Sequence, residues 1–341
     1  LEAGLPSSLI AKLSALSELK VPSFSTVSTL SSDSVDPFQT GNDLGVDAVL
    51  LGTIASAGNG EVLQVRLVDP RNRREVWSEQ YPLASAKTLE LRGQLANKIA
   101  STFELELNVA EKKLLEKGET NSEEAFQEYW RGKHFWRNRN KENIQKAIKH
   151  FETAIQKDPA FAQAYAGLSE CYAVMNTTAY GDMPTEKAMT RARYLADTAL
   201  AMNYNLTEAH TTLGVINLKY FWNWEESEKH FKIALSQDPE NASAYYWYSQ
   251  LLTILRRFPE AMEQAALAKK FDPDSSGIQI SYCRGFYYNR KFTEAANCLQ
   301  EILKDDPNNI GAKHVLGFVY IELGQNEEAT KYFEELPDAN K

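Results

Sequence analysis

The chain has 341 residues, more than one hydrophobic core of ordinary size can serve, so several domains or an elongated repeat array are expected. With 43% hydrophobic, 11% aromatic and 24% charged residues it has enough apolar surface to offset the entropy of ordering, which excludes a disordered chain. A formal net charge of -9 and a pI near 5.3 oppose attraction to phosphate backbones and anionic lipid, so nucleic acid is not expected as a partner.

In chain order, Pro6 suits the first turn of a helix whose apolar stripe is Leu9, Ile10, Leu13, Leu16 and Leu19. The Ser/Thr-rich stretch from Ser23 to Ser34 reads mostly as strand, then loop. Asp36-Pro37 starts a short helix that Gly45 can end, and Ala48 to Ile54 reads as a buried strand leading to a hairpin turn over Ala57 to Gly60. Leu63, Val65 and Leu67 alternate with Gln64 and Arg66, predicting a strand with one wet face. After a turn at Asp69-Pro70, Val76 to Tyr81 supplies the next strand. One long helix from about Lys87 to Lys117 is predicted from the stripe Leu95, Ile99, Phe103, Leu107 and Leu114, and it is expected to link two domains, 1–116 and 117–341.

From Ala125 onward the pattern changes. A small-x-x-x-aromatic-x-x-small phrase closed by Asp-Pro returns at intervals of about 34 residues. It reads Ala147, Phe151, Ala154 and Pro159, then Phe231, Ala234 and Pro239. Further copies are Ala261, Ala265, Ala268 and Pro273, then Ala295, Leu299, Ile302 and Pro307, and a last one begins with Ala329 and Phe333. Small residues allow two antiparallel helices to approach, the large one fills the gap beside them, and Pro stops the second helix. Each phrase has a partner helix upstream, seen in Tyr165, Leu168 and Tyr172, in His210, Leu213 and Gly214, and in Leu316, Gly317 and Tyr320. Extra residues at Asn138 to Asn143 and at Thr177 to Glu186 map to turns, and Tyr204 stands where the second copy would have its closing Pro.

These residues resemble the tetratricopeptide repeat family, which implies a superhelix of about six helical hairpins. In the amino-terminal part, the run Leu44 to Gly52, then Val65-Arg-Leu-Val-Asp69, then Val76-Trp-Ser-Glu-Gln-Tyr81, is similar to the TolB amino-terminal-like domain. The expected fold is therefore mostly α, with a small α/β domain before the repeats. The resemblance implies a bacterial signalling protein, such as a membrane-bound Ser/Thr kinase, a CadC-type regulator or an adenylate cyclase, with its effector domain upstream of Leu1. It also implies one more strand at the start of the α/β domain than this sequence carries.

No catalytic constellation is found. His134, His150, His210, His230 and His314 are scattered singly, with no His-Glu-x-x-His pair and no Cys pair for zinc. Gly52 and Gly58-Asn59-Gly60 lack a following Gly-Lys-Ser/Thr and read as hairpin geometry, and kinase landmarks are missing. Glu123-Glu124 and Glu225-Glu226 sit at helix starts, where acidic charge complements the dipole. Arg71, Arg73 and Arg74 form the densest basic cluster, an anion site at best, on a turn beside Asp69 and Glu75. Three cysteines, Cys171, Cys283 and Cys298, exclude a disulfide framework, and Cys283 and Cys298 are expected as buried, inert residues although a bridge between them is conceivable. No apolar run reaches the roughly twenty residues that span a bilayer, and no leader precedes Leu1, so any anchor or export signal is expected outside this segment. No metal or cofactor is expected, and the chain is read as non-catalytic.

By the resemblance, a partner would lie along the first helix of each repeat. The expected groove residues are Tyr129, Lys133 and Trp136, then Tyr246, Gln250 and Ile254, then Ile280, Arg284, Tyr287 and Tyr288, then His314 and Phe318. Exposed Tyr and Trp bury large area at little entropic cost, which favours a protein or peptide. The Lys and Asn set with which one subclass clamps a terminal carboxylate is missing at Tyr129, Ala166, Thr211, Tyr246, Ile280 and His314, so apolar segments are preferred. The expected function is a protein- or peptide-binding sensor or scaffold, extracytoplasmic and part of a membrane-anchored protein. The alternative is a dimerisation module that clusters an upstream effector.

Overall fold

The computed structural model describes residues 4–14, 16, 18–22, 26–27, 36–57, 60–82, 88–116, 119–137, 140–177 and 180–336. Of the stretch Ser23 to Ser34 only 26–27 fall among these. The hairpin residues Gly58 and Asn59, the expected helix ends Lys87 and Lys117, part of the insertion at Asn138, and the Leu114 side chain lie outside them. The chain forms two compact units, Leu1–Trp130 and Arg131–Lys341.

In the first unit, helix α1 (Gly4–Leu13) and the short α2 (Pro37–Asp43) precede a meander of β1 (Val49–Ala57), β2 (Gly60–Asp69) and β3 (Arg74–Pro82). The Asp36 carboxylate accepts the Phe38 N–H at 2.9 Å to cap α2, and Gly45 ends the turn after it at φ 65°. Both strand pairs are antiparallel, with Val65 opposite Gly52 and Glu79, and a bulge at Leu67/Val68. Opposed residues share a face, so Leu63, Val65 and Leu67 point into the core with Leu50, Trp77 and Tyr81 while Gln64 and Arg66 face water. Two expectations need correction here. The strand expected as buried is half exposed, with Gly52 to Ser56 open to solvent, because β1 forms an edge of the described sheet. The single helix expected from Lys87 to Lys117 is two, α3 (Thr88–Thr102) and α4 (Val109–Glu116).

The break has a local cause. Glu104 takes φ 51°, and Asn108 and Glu111 form a reciprocal cap: the Glu111 N–H donates to Asn108 Oδ1 at 3.0 Å, the Asn108 N–H to Glu111 Oε2 at 2.9 Å. Leu91, Leu95 and Ile99 of α3 and Leu115 of α4 still meet Leu5, Leu9, Leu13 and Leu16 over the sheet, so the apolar stripe survives the break. Lys98 pairs with Glu79 and lies over the Trp77 ring at 4.8 Å, fixing α3 on β3.

Twelve helices follow and pair consecutively into six hairpins among the described residues: α5 (Glu123–Arg137) with α6 (Lys141–Lys157), α7 (Ala162–Val174) with α8 (Thr185–Met202), α9 (Thr207–Ile216) with α10 (Trp224–Gln237), α11 (Ala242–Ile254) with α12 (Phe258–Phe271), α13 (Ser276–Tyr288) with α14 (Phe292–Asp305), and α15 (Ile310–Glu322) with α16 (Asn326–Glu334). The division between the units falls inside α5. The repeat phrase is the buried side of each second helix, as in Ala147, Phe151 and Ala154, Phe231 and Ala234, and Ala261, Ala265 and Ala268. The large residue needs a glycine opposite: a Cβ on Gly132 or Gly167 would stand 2.7 or 2.6 Å from the Phe151 ring, one on Gly214 2.5 Å from Phe231, and one on Gly317 2.7 Å from Phe333.

The Asp-Pro turns share one geometry. The Asp238 N–H donates to the Ala234 carbonyl, its carboxylate accepts the Glu240 N–H at 3.2 Å, and Asn241 Oδ1 accepts the Ala244 N–H at 2.8 Å to start the next helix. At the second copy, where Tyr204 replaces the Pro, Asn203 performs the same role: its N–H reaches the Ala199 carbonyl and its side chain accepts the Asn205 N–H at 3.1 Å. The cysteine expectation is corrected: Cys283 and Cys298 form a disulfide across the α13/α14 hairpin, because the packing of the two helices brings their Cα atoms to 5.5 Å. Cys171 is buried in α7.

Candidate partner-binding face

The first helices of successive hairpins lie side by side. Lys133 of α5 meets Glu170 of α7 at 3.3 Å, Gln250 of α11 donates to Ser281 of α13 at 2.7 Å, and Asn309, the cap of α15, donates to Ser276 of α13 at 2.9 Å. Ser249, Cys283 and Gly317 are buried small residues on one side of these helices, and the exposed positions fall on the other.

Most expected groove residues reach that side. Ile254 is 50% exposed, and His314 and Phe318 are exposed, their rings 5.1 Å apart edge to face with Phe333 beneath Phe318 at 5.3 Å. Tyr246 is half-buried against Trp247, Tyr287 against Tyr288 and Phe292, and Tyr288 stacks on Phe258 at 5.6 Å. Gln250, Arg284 and Tyr288 line a narrow crevice with Ser281 and Phe258. Lys133 and Trp136 are half-buried. Tyr129 and Ile280 depart from the expectation: both are buried, Tyr129 beside Trp130 and Ile280 in a core with Val315 and Leu316, so their side chains serve packing. Ile321, 48% exposed, was missed. Its signal was available, since it follows His314 and Phe318 at helical spacing.

Burial, and secondarily the Glu322 carboxylate, raise the Tyr287 pKa, so its hydroxyl stays protonated and can donate. Beside the face, Glu228 accepts from Tyr248 at 2.8 Å and pairs with Arg257 and Lys232. Burial works against its charge, but these partners outweigh it and hold Glu228 at about 2. That network ties α10 to α11 and α12 and keeps Glu228 charged at neutral pH.

One reading of the sequence changes in the structure. The histidines are not all single: His210 and His230 meet with their Nδ1 atoms 3.0 Å apart, and His210 Nε2 lies 2.9 Å from the Tyr204 carbonyl. Since a carbonyl only accepts, His210 carries its proton on Nε2 and accepts at Nδ1 from His230. Burial lowers both pKa values, that of His230 to about 4. The arginines of the turn after β2 are paired with acids: Arg71 with Asp47 at 2.6 Å, Arg73 with Asp36 at 3.3 Å and Arg74 with Asp69 at 3.4 Å. Among the described residues, no group of three or more His, Cys, Asp or Glu could hold a metal, and no helix is long and apolar enough to cross a membrane.

The family profile for the tetratricopeptide domain of cytochrome c-type biogenesis protein H matches residues 231–339. The transcriptional regulators HilA of Salmonella paratyphi A and Salmonella typhimurium are each 24% identical over 265 residues, covering 76% of this chain and 47% of theirs. The chain thus spans about half the length of these curated relatives, and the match reaches beyond the repeats. Among solved structures, the Cut9–Hcn1 hetero-tetramer of the APC/C aligns with a TM-score of 0.51 at 14% identity, over 72% of this chain and 49% of that one. PilW, a type IV pilus biogenesis factor, aligns with a TM-score of 0.50 at 14% identity, over 62% and 91%. The hairpins are tetratricopeptide repeats, preceded by a small three-stranded sheet.

Proposed function

Starting from a tetratricopeptide-repeat array, a fold whose usual work is to hold other proteins, we propose that this chain is the non-catalytic partner-binding part of a larger bacterial signalling protein. An apolar protein segment or peptide is held along α11, α13 and α15. The observation that carries this reading is the set of apolar and aromatic side chains on those helices that reach solvent: Ile254, Phe318 and Ile321 are exposed, and Tyr246 and Tyr287 are half-buried. Water-exposed apolar groups aligned on adjacent helices gain by burial against a partner.

The similarity to HilA, extending into the amino-terminal unit, supports an effector outside this chain of the transcription-regulating kind over a kinase or cyclase. The Cys283–Cys298 disulfide supports an oxidising, extracytoplasmic setting for the repeats.

The test is selection of peptides from a displayed library on the full chain. Peptides that bind the wild type should bind the Tyr287→Ala/Phe318→Ala variant at least about tenfold more weakly, at unchanged helix content. Selected peptides indifferent to that variant, or a library that yields no binder, would overturn the reading.

A further inference from the structure

The turn between α9 and α10 departs from the rest of the array. Among the described residues it holds the only π-helical turn, Asn217–Phe221, which carries α9 directly into Trp222 at φ 54°. A bulky side chain in the left-handed region is costly, and such strain persists where the surroundings hold it in place. The strained residue is also 73% exposed, and Phe221 and Trp224 beside it are exposed as well. Three large rings that reach solvent on one turn form an exposed apolar patch.

Two cations belong to the patch. Arg193 of α8 lies over the Phe221 ring, 4.8 Å from its centroid, and has only a 3.7 Å contact with exposed Asp197. Lys219 lies over the Trp247 ring at 4.2 Å, and its carbonyl accepts the Trp222 indole N–H at 3.2 Å. Lys219 has no carboxylate partner among the described residues, and crowding by protein pulls its pKa below the ordinary lysine value. An exposed ammonium that has no counter-ion is open to an added carboxylate. Of the nearby acids, Glu226 is engaged by Lys229 at 3.3 Å and Glu225 lies in the first turn of α10, where the helix dipole favours it.

We propose that this turn is a second docking surface, which takes an acidic peptide segment carrying an aromatic or aliphatic anchor. The anchor lies against Trp222 and Phe221, and the segment's carboxylates meet Lys219 and Arg193. Charge selects the occupant: the chain as a whole carries -9, so an acidic segment is repelled over most of the surface and attracted here. The surface uses none of the residues assigned to the first-helix face, so the two stand or fall separately.

The probe is a fluorescein-labelled random copolymer of glutamate and tyrosine, titrated with the full chain and read by anisotropy. A copolymer of lysine and tyrosine is the control. The wild type should bind the acidic copolymer, less tightly as salt rises, and should not bind the basic one. Lys219→Gln and Trp222→Gly should each weaken binding about tenfold, the loss of one anchoring residue. Glycine suits the left-handed backbone, so Trp222→Gly should melt no lower than the wild type. Lys219→Gln, a surface change, carries the test alone if it does. Phe318→Ala should leave the affinity unchanged, which separates this surface from the first-helix face. Absence of binding, equal affinity of wild type and both variants, or equal affinity for the basic copolymer overturns the proposal. Capture of the chain by phosphatidylglycerol vesicles that Trp222→Gly abolishes would assign the patch to lipid instead. A concentration-dependent dimer lost in the same variant would assign it to a second copy, and either result would also overturn it.

Discussion

Phe151, Phe231 and Phe333 set the distance between helices, because each ring fills a space that glycine leaves on the facing helix. Gly214→Ala should therefore cost more than roughly 1 kcal/mol, since its Cβ would stand 2.5 Å from a buried Phe231 ring that cannot yield. Exposed Glu225→Ala should stay within about 0.5 kcal/mol, and urea midpoints compare the two. The small-and-large pairing was legible in the sequence, because both partners recur at fixed spacing. The His210–His230 contact was not: twenty residues separate the two, and only the register of α9 on α10 brings them together. The pair has a consequence for pH. Both imidazoles are held below the ordinary 6.5, so on acidification the unfolded chain takes up protons first. Their contribution is complete above about 6.5 and is lost as pH falls toward 4, where His230 titrates. Melting temperature should drop between pH 7 and pH 5, and drop less in His230→Gln. Parallel pH profiles for the two proteins would contradict the assignment.

At the scale of elements, the succession of repeat helices was legible, because alanine phrases and Asp-Pro stops are local signals. What was not legible depended on contacts or on breaks written in polar residues. The run from Thr88 to Glu116 keeps its apolar stripe through the interruption at Glu104, and only the Asn108/Glu111 cap marks the restart. The π-helical turn before Trp222 likewise has no signature in hydrophobic spacing. Nor did the cysteines announce their bond, since spacing alone does not say which sides of α13 and α14 meet. With a sequence separation of 15 between Cys283 and Cys298, the bond restricts the unfolded chain by up to about 3 kcal/mol. Urea unfolding with and without reductant should show a destabilisation approaching that value, absent in Cys298→Ser. No effect of reductant on the wild type would mean the bond is not made.

At the scale of the whole molecule, the order of a small α/β unit followed by six hairpins was readable from the chain, because strands with period two give way to a phrase with a period of about 34. Which residues of the proposed face reach solvent was readable in part. Helical spacing picked out Ile254, His314 and Phe318, which are exposed, but it could not tell them from Tyr129 and Ile280, which stand at the repeat position of His314 and are covered by neighbours. The central claim is that the uncovered side of α11, α13 and α15 holds a partner. Hydrogen–deuterium exchange of the full chain with a library-selected peptide tests it most directly. Added protection should concentrate in residues 242–254, 276–288 and 310–322, whereas protection confined to α12, α14 and α16, or none anywhere, would contradict it.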